Sequence, residues 1–158
     1  MSDRIAVMCA GRIHHLAPPE EISRRPATAF VLDFIGSVTS LPCRIEARNG
    51  TSVTLRWREA TITLPSPPRV PVGPDVLLAA RPESWRSVAD GAGLPGTVPL
   101  RSVHGAGFEY RVRLGGAEIR VMTPNDVRVN EGETVRAVVS EGLLLEPDAP
   151  SRPEARAA

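Results

Sequence analysis

The chain contains no lysine; all nineteen of its basic residues are arginine. A phosphate-binding-loop lysine and a Schiff-base lysine are therefore excluded within these residues. Aromatic residues make up only 4% and the net charge is +1, so neither stacking platforms nor a basic footprint for nucleic acid is present. Two cysteines, Cys9 and Cys43, lie far apart without framework or ligand spacing, and are expected to be reduced thiols packed as small hydrophobes. Of the three histidines, His14 and His15 are neighbours on a strand-like run and point to opposite faces, with His104 far along the chain. That arrangement argues for surface histidines and against a metal site. No apolar run reaches membrane-spanning length, and the N-terminus lacks a charged stretch followed by an apolar one. A cytoplasmic protein is expected.

What is present points to β-structure. The 158 residues allow one domain or two very small ones, and sixteen prolines and thirteen glycines cluster between short apolar runs. "RIAVMC" at 4–9 reads as a buried strand, and "RIHHL" returns from the Ala10-Gly11 turn as its hairpin partner. In "PPEEISRR", Pro18 and Pro19 open a helix with Glu20 and Glu21 at its positive end; Arg24 and Arg25 occupy the last turn and Pro26 stops it. A second helix follows in "ATAFVLDFIG", where Phe30, Val31, Phe34 and Ile35 form an apolar docking face and Gly36 is the expected stop.

From Cys43 the period changes to two. "CRIEARNGTSVTLRW" turns at Asn49-Gly50 between Ile45, Ala47 and Val53, Leu55, Trp57. A Pro-rich loop leads into the apolar "VLLAARPE", and residues 86–96 read as a surface connection. "FEYRVRLGGAEIRVM" is a second hairpin with Val112, Leu114, Ile119 and Val121 on one face, and "VNEGETVRAVVSEGLLLEP" closes it. In both halves a glycine stands three residues before the valine that opens a buried strand: Gly73 before Val76, Gly132 before Val135. The chain therefore reads as a degenerate internal repeat, two small strand sets closing on each other as an OB-like barrel. The Pro/Ala/Arg-rich tail at 148–158 reads as disordered.

The segment "DRIAVM-CA-GRI", then "P-E-EI", then "PATAFVLDFIG", covering Asp3 to Gly36, closely resembles the end of the ATP-binding subunit of ABC importers. "LAARPE" and the closing "VNEGETVRAVVSEGLLLEP" resemble the TOBE accessory domain that follows it in that family. The resemblance implies a mainly β chain. Residues 1–36 would be the remnant of a nucleotide-binding domain, a short strand–helix–helix segment. Residues 37–147 would be a small OB-like (TOBE/MOP-like) β-barrel. It further implies a regulatory and dimerisation role in an importer of polyamines, iron or related substrates, held at the inner membrane through permease subunits. The expected partners are the parent nucleotide-binding domain, those permease subunits and a second copy. ATP and Mg would belong to the parent, with no cofactor in this chain, because the phosphate-binding loop that phosphoryl transfer requires is missing here.

No catalytic set emerges, since no Ser/His/Asp or Cys/His arrangement has usable spacing and Glu20-Glu21 complement a helix dipole. Candidate binding residues are Arg81 and Glu83 in "RPE", where Pro82 is expected to end a strand while its neighbours fix the corner. The Gly-rich "VHGAGFEYRV" supplies His104, Gly105 and Gly107, and is expected to be a flexible loop because it opens a strand rather than a phosphate-binding helix. The competing reading is a free-standing binder of a small oxyanion-type ligand on the same barrel.

Overall fold

Two glycine turns set the frame. Asn49-Gly50 and Gly115-Gly116 reverse the chain inside two period-two segments, with positive φ at Gly50, Gly115 and Gly116. The computed structural model describes residues 2–88, 91–105 and 107–147, and the tail assigned to 148–158 lies outside them. The N-terminal part is a hairpin, β1 (Ile5–Cys9) and β2 (Arg12–Ala17), followed by the short helices α1 (Pro19–Arg24) and α2 (Ala29–Ile35). Ten strands follow: β3 (Thr39–Arg48), β4 (Ser52–Trp57), β5 (Ala60–Pro65), β6 (Asp75–Ala80), β7 (Trp85–Val88), β8 (Leu94–His104), β9 (Gly107–Leu114), β10 (Ala117–Pro124), β11 (Thr134–Val139) and β12 (Leu143–Leu145). The molecule is mainly β, as the composition implies.

The ten strands form two five-stranded sheets, ordered β12-β6-β3-β4-β5 and β7-β11-β8-β9-β10. These orders correspond position by position: β3, β4, β5 and β6 of one half match β8, β9, β10 and β11 of the other. The fifth strand is exchanged. β7 leaves the first half to pair with β11, and β12 leaves the second to pair with β6. One apolar cluster, from Leu41 and Leu55 through Trp85, Tyr110 and Ile119 to Leu144, fills the space between the sheets. Each half offers one apolar face, which can be covered only by the other. The internal repeat is real, and it yields a barrel-like body around a single core.

Several expectations need correction. Residues 86–88 and 94–96 are strand, not surface connection, because Trp85 is fully buried and pins β7 against β11. Residues 60–63 carried no expectation and Leu64–Pro65 were read as the start of the Pro-rich loop, yet all six form β5, because β4 pairs along their whole length and buries Ile62 and Leu64. In β1 Val7 alone is buried, since among the described residues nothing covers the hairpin's other face. On α2, Phe34 is 65% exposed and stacks on Phe30, while Val31 and the overlooked Leu32 are buried. A seven-residue helix presents a narrow face, and Phe34 falls on its flank. Of the two thiols, Cys43 is buried and Cys9 exposed, and both are free.

Tyr110, fully buried, carries the loop between β10 and β11. Its hydroxyl donates to the Val127 carbonyl and accepts from the Val129 N–H, both at 3.1 Å. Tyr110→Phe leaves that buried N–H unpaired and should cost about 1–3 kcal/mol in a denaturant titration. Burial pushes the Cys43 thiol up to about 11, opposed by a backbone hydrogen bond from Leu78. A folded-state pKa raised above the ordinary 9.0 stabilises the native state below pH 9 and is lost as pH rises through about 11. At pH 8, a thiol reagent should titrate Cys9 in the native protein and Cys43 only on unfolding.

Candidate functional site

The N-terminal segment has a core of four buried residues, Val7, Ala17, Ile22 and Val31, and is tied to the barrel along a seam. Arg81 makes the central tie: its Nη2 donates to the Ser23 carbonyl of α1 at 3.1 Å. A Cβ on Gly36 would stand 3.1 Å from Arg81 Nη1, so the glycine makes room for the guanidinium. Gly36 caps the C-terminus of α2 as expected, in extended backbone with φ 178°. A second tie runs from Arg120 Nη1 to Ser37 Oγ at 3.1 Å. Between the two parts lies a groove of about 1400 Å³, lined by Ser23, Arg25, Leu32, Arg69, Arg81 and Glu141 among others.

Pro82 does end β6, and it opens a 3₁₀ turn, Pro82–Ser84. Glu83 is exposed and makes no ion pair among the described residues, so Arg81 alone holds the corner. The carbonyl of Ser84 accepts both from the Ser140 N–H at 2.9 Å and from its hydroxyl at 3.0 Å. The two crossovers, β6 to β7 and β11 to β12, therefore fasten on each other.

At the β8–β9 turn strand runs to His104 and resumes at Gly107, so the Gly-rich segment joins two strands as expected, with Ala106 outside the described residues. Gly105 takes φ +54°, and a Cβ on Gly107 would run into the Thr123 carbonyl of β10. Both glycines have structural reasons. Beside this tip, Phe108 lies under two guanidiniums, Arg101 at 5.5 Å and Arg128 at 5.7 Å from the ring centroid. Neither arginine was expected. The signal was an arginine on the inward register of a strand, opposite Tyr110. Among the described residues no hydrogen bond or ion pair joins Arg81 or Glu83 to Gly105 or Gly107, so the structure does not bring these candidates together. His14 is exposed and lies tilted at 45° against the Phe30 ring, centroids 4.8 Å apart, while His15 Nδ1 accepts the Ala27 N–H at 3.4 Å. Among the described residues no group of three His, Cys, Asp or Glu side chains is placed to hold a metal.

The groove at the seam and the arginine-bearing hairpin end are the candidate surfaces of the chain. Residues 78–143 match the TOBE domain model. The chain is similar to a spermidine/putrescine import ATP-binding protein of Pseudomonas aeruginosa, 37% identical over 129 residues, which are 79% of this chain and 35% of the relative. It is also similar to a spermidine/putrescine import ATP-binding protein of Pseudomonas fluorescens (33% over 153 residues, 92% and 40%). An sn-glycerol-3-phosphate import ATP-binding protein of Paracoccus denitrificans matches at 36% over 144 residues (87% and 38%). The chain spans little more than a third of the length of these curated relatives. The resemblance read from Asp3–Gly36 and from "LAARPE" is thus shown: the relatives are importer ATP-binding subunits.

Arg81→Gln should loosen the seam. Hydrogen exchange of α1 and α2 amides should quicken several-fold while the amides of β3 and β6 keep their protection, because the two cores are separate clusters.

Proposed function

We propose that this chain is the C-terminal regulatory and dimerisation part of an importer ATP-binding subunit, of polyamine, iron or related type, and is not itself competent for ATP hydrolysis. In this reading residues 1–36 end the nucleotide-binding domain and residues 37–147 are the accessory barrel. One observation carries it: the outer face of β1–β2. Met8 pairs with Ile13 and Ala6 with Leu16, which puts Met8, Ile13 and Leu16 side by side, each 45% exposed or more. Among the described residues the core on the other side is the four-residue cluster of Val7, Ala17, Ile22 and Val31. An apolar sheet face over so small a core is what further ATPase chain would cover. A free-standing ligand binder leaves that face without a purpose.

ATP and Mg would bind upstream in the parent subunit, and this chain contributes none of their ligands. The Arg81 tie supplies a mechanical link, because any rotation of the ATPase end must either carry the barrel with it or break the Arg81–Ser23 bond. Allosteric coupling of this kind needs two sites and two states, which the seam can separate. The subunit would lie at the cytoplasmic face of the inner membrane through its permeases. Among the described residues no helix is long and apolar enough to cross a membrane.

In sedimentation equilibrium the 158-residue chain should self-associate; a strict monomer at high concentration would remove the dimerisation role. Isothermal titration with Mg-ATP should show no binding, and tight binding would overturn the assignment.

A further inference from the structure

The two halves of the barrel correspond strand for strand, but they do not end alike. β8, β9 and β10 have 11, 8 and 8 residues against 10, 6 and 6 for β3, β4 and β5. In the first half the β6 edge of β3 is covered almost to its end. Pairing runs from Thr39 to Arg44, Ile45 N–H donates to the Pro74 carbonyl, and Arg48 Nη2 holds the carbonyls of Pro71, Val72 and Gly73 at 2.7–3.2 Å. In the second half β11 pairs with β8 only from Leu94 to Thr97, and the last backbone bonds on that side are at Val98. Pro99 follows in a bulge, and residues 99–103 are exposed on both faces, Val103 at 76% and Leu100 at 41%.

That edge of β8 is open. The Arg101 N–H points away from β9 and is taken by the Glu131 carboxylate at 3.0 Å, a side chain standing where a neighbouring strand's carbonyl would be. By strand alternation the Val103 backbone groups point the same way, away from β9, and no loop carbonyl or side chain among the described residues takes the Val103 N–H. Natural proteins cover or charge such edges, and this one is only capped once. Beside it the guanidiniums of Arg101 and Arg128, held over Phe108, have no carboxylate within ion-pair distance among the described residues.

We propose that the open edge of β8 at Arg101–Val103 accepts an extended, carboxylate-bearing segment of a partner protein by strand addition. The segment's main chain takes the Val103 N–H and displaces Glu131 from Arg101. Its carboxylates pair with Arg101 and Arg128, whose forked donors suit that geometry. An apolar residue of the segment covers Val103. A second copy is the poorer occupant, because antiparallel pairing of two such edges would bring the Arg101–Arg128 pairs together and set like charges against each other. The inference rests on the barrel alone and stands whether or not the chain works within an importer.

The test uses the whole chain, the blocked peptide VEVEV as probe, its charge-reversed counterpart VKVKV and succinate as a small dianion, followed by amide NMR. VEVEV should shift the amides of Arg101, Ser102 and Val103 and bind wild type best. Affinity should fall about tenfold or more in R101Q/R128Q and in Val103→Pro, which removes the outward N–H, and should rise in E131A. No binding, equal binding of VKVKV, or equal shifts with succinate would each overturn the proposal. So would loss in R101Q/R128Q with full affinity in V103P, since attraction would then be ionic only. Loss of self-association in V103P would assign the edge to a second copy and overturn it too. R101Q/R128Q and E131A carry the test if V103P does not fold.

Discussion

Everything in this molecule depends on the exchange of β7 and β12 across the paired crossovers at Ser84 and Ser140. Each half-sheet has an apolar inner face and too few strands to cover it. Sending the fifth strand to the other sheet makes each half part of the other's edge, so neither can leave without unpairing both. The bonds from Ser140 to the Ser84 carbonyl close this arrangement where the two chain crossings meet. A buried carbonyl with two donors at such a point satisfies backbone that neither sheet ladder can reach.

The candidate surfaces lie where this correspondence fails. The first crossover carries Arg81, which reaches outward to α1. The matching position beyond β11 is Ser140, whose bonds stay within the barrel. The seam with the N-terminal segment is therefore built on one half only. The second half, in turn, has the longer hairpin, with Arg101, Phe108 and Arg128 overhanging the barrel end. The repeat supplies a pair of sheets that cover each other, and the departures from it supply the seam and the open edge.

Legibility from sequence followed local physics. Asn49-Gly50 and Gly115-Gly116 announced their hairpins because a turn's φ demands act on the residues themselves. Val112, Leu114, Ile119 and Val121 announced their face because a strand alternates regardless of its neighbours. Phe34 misled because helical spacing says which residues share a face and not whether anything covers it. The stretch 86–96 misled because small residues and glycines read as a loop, whereas Gly96 is in strand, its absent Cβ leaving space for Leu114 and Val112. Arg81 and Gly36 were each legible as part of a motif; that one makes room for the other was not.

The sequence by itself determined the β-rich class, the two-fold repeat, the hairpin turns, the absence of a phosphate-binding loop and the kinship with importer ATP-binding subunits. All of these are properties of residues within a few positions of one another, or of ordered motifs. The tertiary structure alone decided that the halves exchange strands, that Arg81 locks the seam and that β8 is left with an open edge. Those depend on which distant strand pairs with which and on how far each pairing runs. Strand alternation allows several partners for the same apolar face, and only mutual burial of both faces selects one.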